Sequence, residues 1–308
     1  MSAGELTPRS RLRWVLSALV SVGFLAWWWQ SGAWSEAGAL FQVLTAPQWV
    51  LLTVGLWLSY AVRAWRLHAE FQGRCALRWA DWLRITLMHN ALVNWLPFRS
   101  GELAFPLLLR REAQLPVAQS VSALIWLRVQ DALMLVALAA WFWPREGHLL
   151  QAAALALLAA GIWGLPWVLQ RGGAWTMRPR WAAWRDAFTS RHRHAASIWG
   201  LTALNWSLKL AIQAQLLMWL SGGSWAWGWA GAVGAELAVF SPVQGWAGVG
   251  TYEAGAAWAM SWHGVSLAQG AQWALVLHAW VLLNATLAGA LAGLVTVRAG
   301  HQRPDVSP

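Results

Sequence analysis

Seven charged side chains sit inside runs of sequence otherwise built for hydrocarbon: Arg99, Glu102, Arg128, Asp131, Lys209, Glu236 and Glu253. A charge within a bilayer costs about 2.5 kcal/mol or more, so such residues mark either function or tight pairing. Arg99 and Glu102 flank a helix-breaking turn in "NWLPFRSGELAF", residues 94–105. Arg128 and Asp131 are three apart in "LRVQDAL", which puts them on one helix face. Glu253 closes a second stretch rich in Pro and Gly, "SPVQGWAGVGTYE", residues 241–253. Two chemistries fit these residues. The first is an ion-pair network that holds helices together, and the near balance of acids and bases suits it. The second is a polar cavity that binds a charged headgroup partway across a membrane. Charges gathered at the chain breaks, as Arg99, Glu102 and Glu253 are, favour the second. In that reading Arg99 and Arg128 contact phosphate. Glu102, Asp131 and Glu253 orient those arginines, bind cationic groups or carry protons. Helix N-termini at the breaks add free N–H groups that favour anions.

Other chemistries have weaker support. His192 and His194 in the basic segment lack the Cys or carboxylate partners of a metal site, so no metal and no cofactor is expected. Ser59, Ser122 and Ser207 have no base at a recognisable spacing, and no enzyme is expected. His89 and His278 read as packed neutral side chains. "GVGTYEAG" has neither the Lys-Ser/Thr of a phosphate loop nor a strand before it. The single cysteine, Cys75, excludes an intrachain disulfide.

The elements that must position these charges follow from composition. The 308 residues are 58% hydrophobic and 11% charged, against about 25% charged in an ordinary soluble domain. Several apolar runs reach the roughly 20 residues that cross a bilayer. This is the composition of an all-α, multi-pass membrane protein. A net charge of +10 would suit nucleic acid, but the arginines cluster between apolar runs as topology determinants do. Lys209 is the only lysine. Arg9, Arg11 and Arg13 precede a first apolar run with no convincing cleavage site, so that run reads as a retained span. The 30 tryptophans carry no functional inference.

Six full spans are expected at about 13–32, 48–67, 117–142, 148–170, 196–220 and 271–297. Residues 85–109 and 226–262 are broken, at Pro97–Gly101 and Pro242–Gly250. Each half is short for a crossing, so each region reads as a hairpin entering and leaving by one face. Broken segments of this kind are tolerated where protein or a watery cavity satisfies the freed backbone. With the N-terminus in the cytoplasm, the inner segments collect the arginines, among them Arg63, Arg66, Arg74, Arg78 and Arg84. The outer loops hold only Arg145. Both termini are then cytoplasmic, in a bacterial-type inner membrane. Residues 13–142 and 148–297 each read span, span, hairpin, span, starting from opposite sides. Within one membrane domain, residues 1–308, this is the inverted repeat of many secondary transporters, with opposed re-entrant hairpins. Pro97 and Gly101 form one elbow; Pro242, Gly245, Gly248 and Gly250 form the other.

"NALVNWLPFRSGELAFPLLLRR" followed by "VSALIWLRVQDALML" resembles the lysylphosphatidylglycerol synthase transmembrane region, a flippase-like membrane family. The matching positions are Asn94, Leu96, Pro97, Arg99, Gly101, Glu102, Arg128 and Asp131. "SPVQGWAGVGTYEAG" is similar to the second family signature through Pro242, Gly245, Gly248, Gly250 and Glu253, and Lys209 falls where members often carry a lysine. The resemblance implies that a membrane lipid is moved between leaflets, with a lipid-modifying enzyme as a further partner. It adds Asn94 and Lys209 to the expected translocation residues. Two departures bear on which lipid: Phe105-Pro106 stands where an arginine is common, and Leu127 where a glutamate is usual. Little chain follows the last span, so no synthase domain is expected. The rivals are an integral-membrane enzyme of lipid metabolism and a non-catalytic partner of an envelope synthase or glycosyltransferase.

Overall fold

A computed structural model describes residues 8–30, 38–141, 148–164, 195–241 and 244–294. Its regular elements are helical, with no strand among the described residues. In chain order they are α1 (Pro8–Gln30), α2 (Ala46–Glu70), α3 (Trp79–Trp95), a 3₁₀ turn (Pro97–Leu103), α4 (Ala104–Ala113) and α5 (Val117–Trp141). There follow α6 (His148–Ala159, continued by a π turn, Ala160–Gly164), α7 (Ala195–Ser221) and α8 (Trp225–Ala238). A short 3₁₀ turn (Trp246–Gly248), α9 (Thr251–Ser261) and α10 (Leu267–Leu294) complete the described chain.

Three of these helices start by one device. A side chain in the first turn reaches back to the last non-helical N–H and satisfies a donor that the helix leaves orphaned. Gln48 Oε1 accepts from Thr45 N at 2.8 Å, Asp81 Oδ2 from Arg78 N at 3.0 Å, and Glu253 Oε2 from Gly250 N at 2.7 Å. α3 stops because of Pro97. The residue before a proline is pushed out of the helical region, and Leu96 is extended, with φ −81° and ψ 130°.

Both broken regions fold back on themselves. In the first, Gly101 packs on the backbone of Leu92 and Val93, Phe105 on His89 with ring centroids 5.2 Å apart, and Arg84 pairs with Glu112 at 3.1 Å. Partner numbers fall in one arm as they rise in the other, so the arms run antiparallel. In the second, Gly234 meets Gly255 and Ala259, Gly255 meets Ala238, and Gly231 meets Met260. These arms are antiparallel too. α3, α4, α8 and α9 have 17, 10, 14 and 11 residues. At 1.5 Å per residue each is shorter than the roughly 30 Å hydrocarbon core.

Two helices, Val117–Ala140 and Leu267–Leu294, are both long and apolar enough to cross a membrane. α1, α2 and α7 have the length, 23, 25 and 27 residues, and α2 carries Arg63, Arg66, His68 and Glu70 in its second half. The expected span at 148–170 is helical as far as residue 164; its remainder lies outside the described residues, as do His192, His194 and Arg145. The outside of the fold is apolar in stripes. Val50, Leu51, Val54 and Leu58 on α2 and Leu283, Leu287 and Leu291 on α10 are about half exposed. Polar side chains occupy the inside, among them Arg66, Asp131, Gln213, Glu236, Glu253 and His278. Large apolar faces turned outward over a charged interior fit a multi-pass membrane location.

Candidate functional site: two charge clusters around a central cavity

The first cluster joins α2, α5, α7 and the first elbow. Arg66, 2% exposed, meets Asp131 Oδ1 through Nη1 at 2.5 Å. Its Nη2 donates to the Leu127 carbonyl at 3.0 Å and to Gln130 Oε1 at 3.1 Å. Asp131 Oδ1 also accepts from Trp206 Nε1 at 3.0 Å, and its Oδ2 from Arg128 Nη1 at 2.9 Å. Arg128 Nη2 turns the other way, to Glu102 Oε1 at 2.7 Å. His89 Nε2 lies 3.5 Å from Glu102 Oε2. A buried charge is tolerable when charge-assisted hydrogen bonds replace its lost water. Asp131 has three such donors.

The second cluster joins α7, α8, α9 and α10. Glu236 Oε1 takes Lys209 Nζ at 2.7 Å and Gln213 Nε2 at 2.7 Å. Gln213 Nε2 is also 3.3 Å from the Tyr252 hydroxyl. Lys209 Nζ stands 5.1 Å from the Trp206 ring centroid, within cation–π range. Glu253 is fully buried. Its Oε1 faces His278 Nδ1 at 2.6 Å, while Oε2 caps Gly250. The Tyr252 ring stacks on His278 with centroids 4.4 Å apart.

Between the clusters is a cavity of about 120 Å³. Asn90, Asn94 and Leu96 close it from the first hairpin, and Gln244, Gly245, Ala247 and Gly248 from the second. Arg63, Arg128, Asp131, Lys209, Glu236 and His278 supply charged or titratable walls. The two elbows touch one another beside it. Their glycines have steric reasons. A Cβ on Gly101 would strike the Leu92 carbonyl, and one on Gly245 the Val249 carbonyl. In the second elbow Ala247, Gly248 and Gly250 have φ of 51°, 85° and 86°, a left-handed region that glycine enters freely and alanine does not.

Most of the expected residues converge here. Glu102, Arg128 and Asp131 form one linked group. Asn94 lines the cavity and donates to the Asn90 carbonyl at 2.8 Å. Lys209 binds Glu236. Among the described residues the partners of Glu253 are His278 and the Gly250 N–H. Glu102 and Asp131 hold Arg128. The side chains of Pro97 and Arg99, and the whole of Pro242, lie outside the described part of the structure. Arg66, expected among the topology arginines, is buried on α2, and Arg63 is half-buried on the same helix and lines the cavity. His89 and His278 are buried as expected, yet each faces a glutamate.

Among the described residues, no three His, Cys, Asp or Glu side chains come together as a metal site. No curated protein and no solved structure matches the chain. A family model does match, that of the lysylphosphatidylglycerol synthase TM region, over residues 14–289. With its two elbow signatures and paired charge clusters inside that span, the chain belongs to the lysylphosphatidylglycerol synthase transmembrane-region family.

Proposed function

We propose that this protein is a lipid transporter that moves a polar-headed phospholipid or lipid-linked glycan between membrane leaflets, without doing covalent chemistry on it. One observation carries the reading: a charged cavity sits where two broken helices meet, inside a shell whose outer faces are apolar. A headgroup cannot cross hydrocarbon unassisted, and the breaks supply polar partners at that depth. In this reading six helices span the membrane, and the hairpins α3–α4 and α8–α9 enter from opposite faces. Both termini are cytoplasmic in a bacterial-type inner membrane. Exposure alternates as one repeat rocks against the other, and a lipid-modifying enzyme is a natural supplier of substrate.

The test uses purified full-length protein in liposomes and follows leaflet accessibility of labelled lipids over time. Anionic, aminoacylated and polyprenyl-linked lipids are compared. One of these classes is expected to equilibrate faster than in empty liposomes, and a crosslink between cysteines at positions 100 and 247, in a Cys75→Ser background, is expected to stop it. Rates equal to empty liposomes for all three classes would remove the transport reading. Topology has its own check: a cysteine at position 100 labels from the cytoplasmic side and one at 247 from the exterior. Labelling of both from one face would overturn the inverted arrangement.

A further inference from the structure

The cavity's cations are not equivalent. Arg128 is held by Glu102 and Asp131, and Lys209 by Glu236. Arg66, just behind the wall, is held by Asp131. Arg63 is the exception. It lies one helical turn before Arg66 on α2 and borders both the main cavity and a small void of about 10 Å³ beneath it. Among the described residues its guanidinium has neither an ion pair nor a hydrogen bond. Arg66, Arg128, Asp131 and Glu102 are its charged neighbours. Among these described residues three guanidiniums face two carboxylates, an excess of one positive charge.

Two further donors on the same wall also lack partners among the described residues: Asn90 Nδ2, on a side chain 6% exposed, and Arg128 Nε. Buried donors without acceptors are costly, and the half-buried Arg63 beside them adds a positive charge to the same cavity. Donors in excess, with a net positive charge, call for an anion rather than a cation or a neutral sugar. The planar fork of a guanidinium matches two oxygens of one phosphate.

We infer that Arg63 is the residue that binds the phosphate of the transported lipid, a phosphodiester headgroup, with Asn90 supplying a second donor and Arg128 held at a distance by its own carboxylates. The inference rests on the lipid-transport reading and names its substrate class. It also gives a role to a half-buried charge that has no hydrogen bond or ion pair among the described residues. Arg66 and Arg63 thus divide the labour of neighbouring arginines: one holds α5, the other faces the ligand.

The experiment measures thermal unfolding of the purified full chain in detergent against three probes: dihexanoyl-phosphatidylglycerol, dioctanoylglycerol without a phosphate, and inorganic phosphate. Phosphatidylglycerol is expected to raise the unfolding midpoint of the wild type, and dioctanoylglycerol to leave it unchanged. Arg63→Ala is expected to weaken the phosphatidylglycerol effect at least tenfold, with the ligand-free midpoint equal to or above wild type because no ion pair is lost. Arg63→Lys, which keeps the charge and loses the fork, is expected to fall between. Equal binding by Arg63→Ala, equal stabilisation by dioctanoylglycerol, or a ligand-free midpoint that drops in step with binding would overturn the assignment. Inorganic phosphate binding as tightly as the lipid would keep the anion site and overturn its lipid source. Lipid bound through Arg63 but never moved in liposomes would remove the transport reading and leave Arg63 as a lipid-phosphate-binding residue.

Discussion

The two hairpins solve one problem with different chemistry. The first, α3–α4, is fastened along its arms by charge: Arg84 to Glu112 near the base, His89 beside Glu102 near the elbow, and Glu102 onward to Arg128 on α5. The second, α8–α9, packs arm to arm through small residues, its charge contacts being made outward, Glu236 to Lys209 and Glu253 to His278. Gly228 rests on the Ala214 carbonyl of α7, Gly234 on the Gly255 carbonyl, and Gly255 against Ala238. Without a hydrophobic drive between helices in lipid, close backbone approach at small residues is one source of cohesion and polar contacts are another. The first hairpin should therefore be sensitive to loss of charge, and the second to gain of volume. Only at the elbows do they converge, since Gly101 and Gly245 are both needed for chain reversal.

The largest expected effect is Asp131→Ala. It leaves Arg66 buried without its carboxylate and costs about 3–5 kcal/mol, read as loss of folded protein in denaturant titration in detergent. Survival of the fold would show that the first region does not depend on its charges. Gly255→Val is expected to cost about 1–3 kcal/mol by overpacking α8 against α9. A charge-neutral change of that size would separate the two regions. Glu253→Gln changes the cap on the Gly250 N–H and the partner of His278. It should lower stability by about 1 kcal/mol while reducing transport by far more, measured as leaflet exchange in liposomes. Equal losses in both would make Glu253 a structural cap alone. The smallest effect sharpens the comparison: Ala247→Gly relieves a left-handed alanine and should stabilise by about 1 kcal/mol, a change confined to the second elbow.

The residues legible in the sequence were those that stood out against their surroundings. Glu102, Arg128, Asp131, Lys209 and Glu253 are charges in apolar runs, and the elbows carry Pro and Gly at the positions where the helices break. Arg63 and Arg66 were hidden because they begin an arginine-rich stretch that reads as cytoplasmic flank. Their spacing held the missing signal: Ser59, Tyr60, Arg63 and Arg66 fall at helical intervals, forming a polar stripe on the buried face of α2. A second signal lay in composition. The chain has 30 tryptophans and only two tyrosines, and both tyrosines, Tyr60 and Tyr252, line the cavity. Gln213 stands four residues after Lys209, so both reach Glu236, yet a neutral amide in an apolar helix draws no notice. The tryptophans were silent for a different reason. Trp206, which donates to Asp131, resembles the other tryptophans in sequence and differs only in what it meets.

α10 touches both hairpins and α2. Through Gly289 it lies on Ala91 of α3, through Thr286 it accepts from Trp95 at 2.6 Å, through Asn284 it accepts from Trp57 of α2 at 3.0 Å, and through His278 it grips Glu253 of α9. A single helix, a rod of 28 residues, thus runs from one hairpin to the other. Its contact with α3 includes Gly289 on Ala91, a small-residue surface of the kind that tolerates sliding, whereas its contact with α9 is a polar clasp. The rod and the second hairpin should travel as one piece, with slip taken up along Gly289. Gly289→Leu would then act as a brake: leaflet exchange slows while phosphatidylglycerol still stabilises the protein, and an unchanged exchange rate would mean that the sliding surface lies elsewhere.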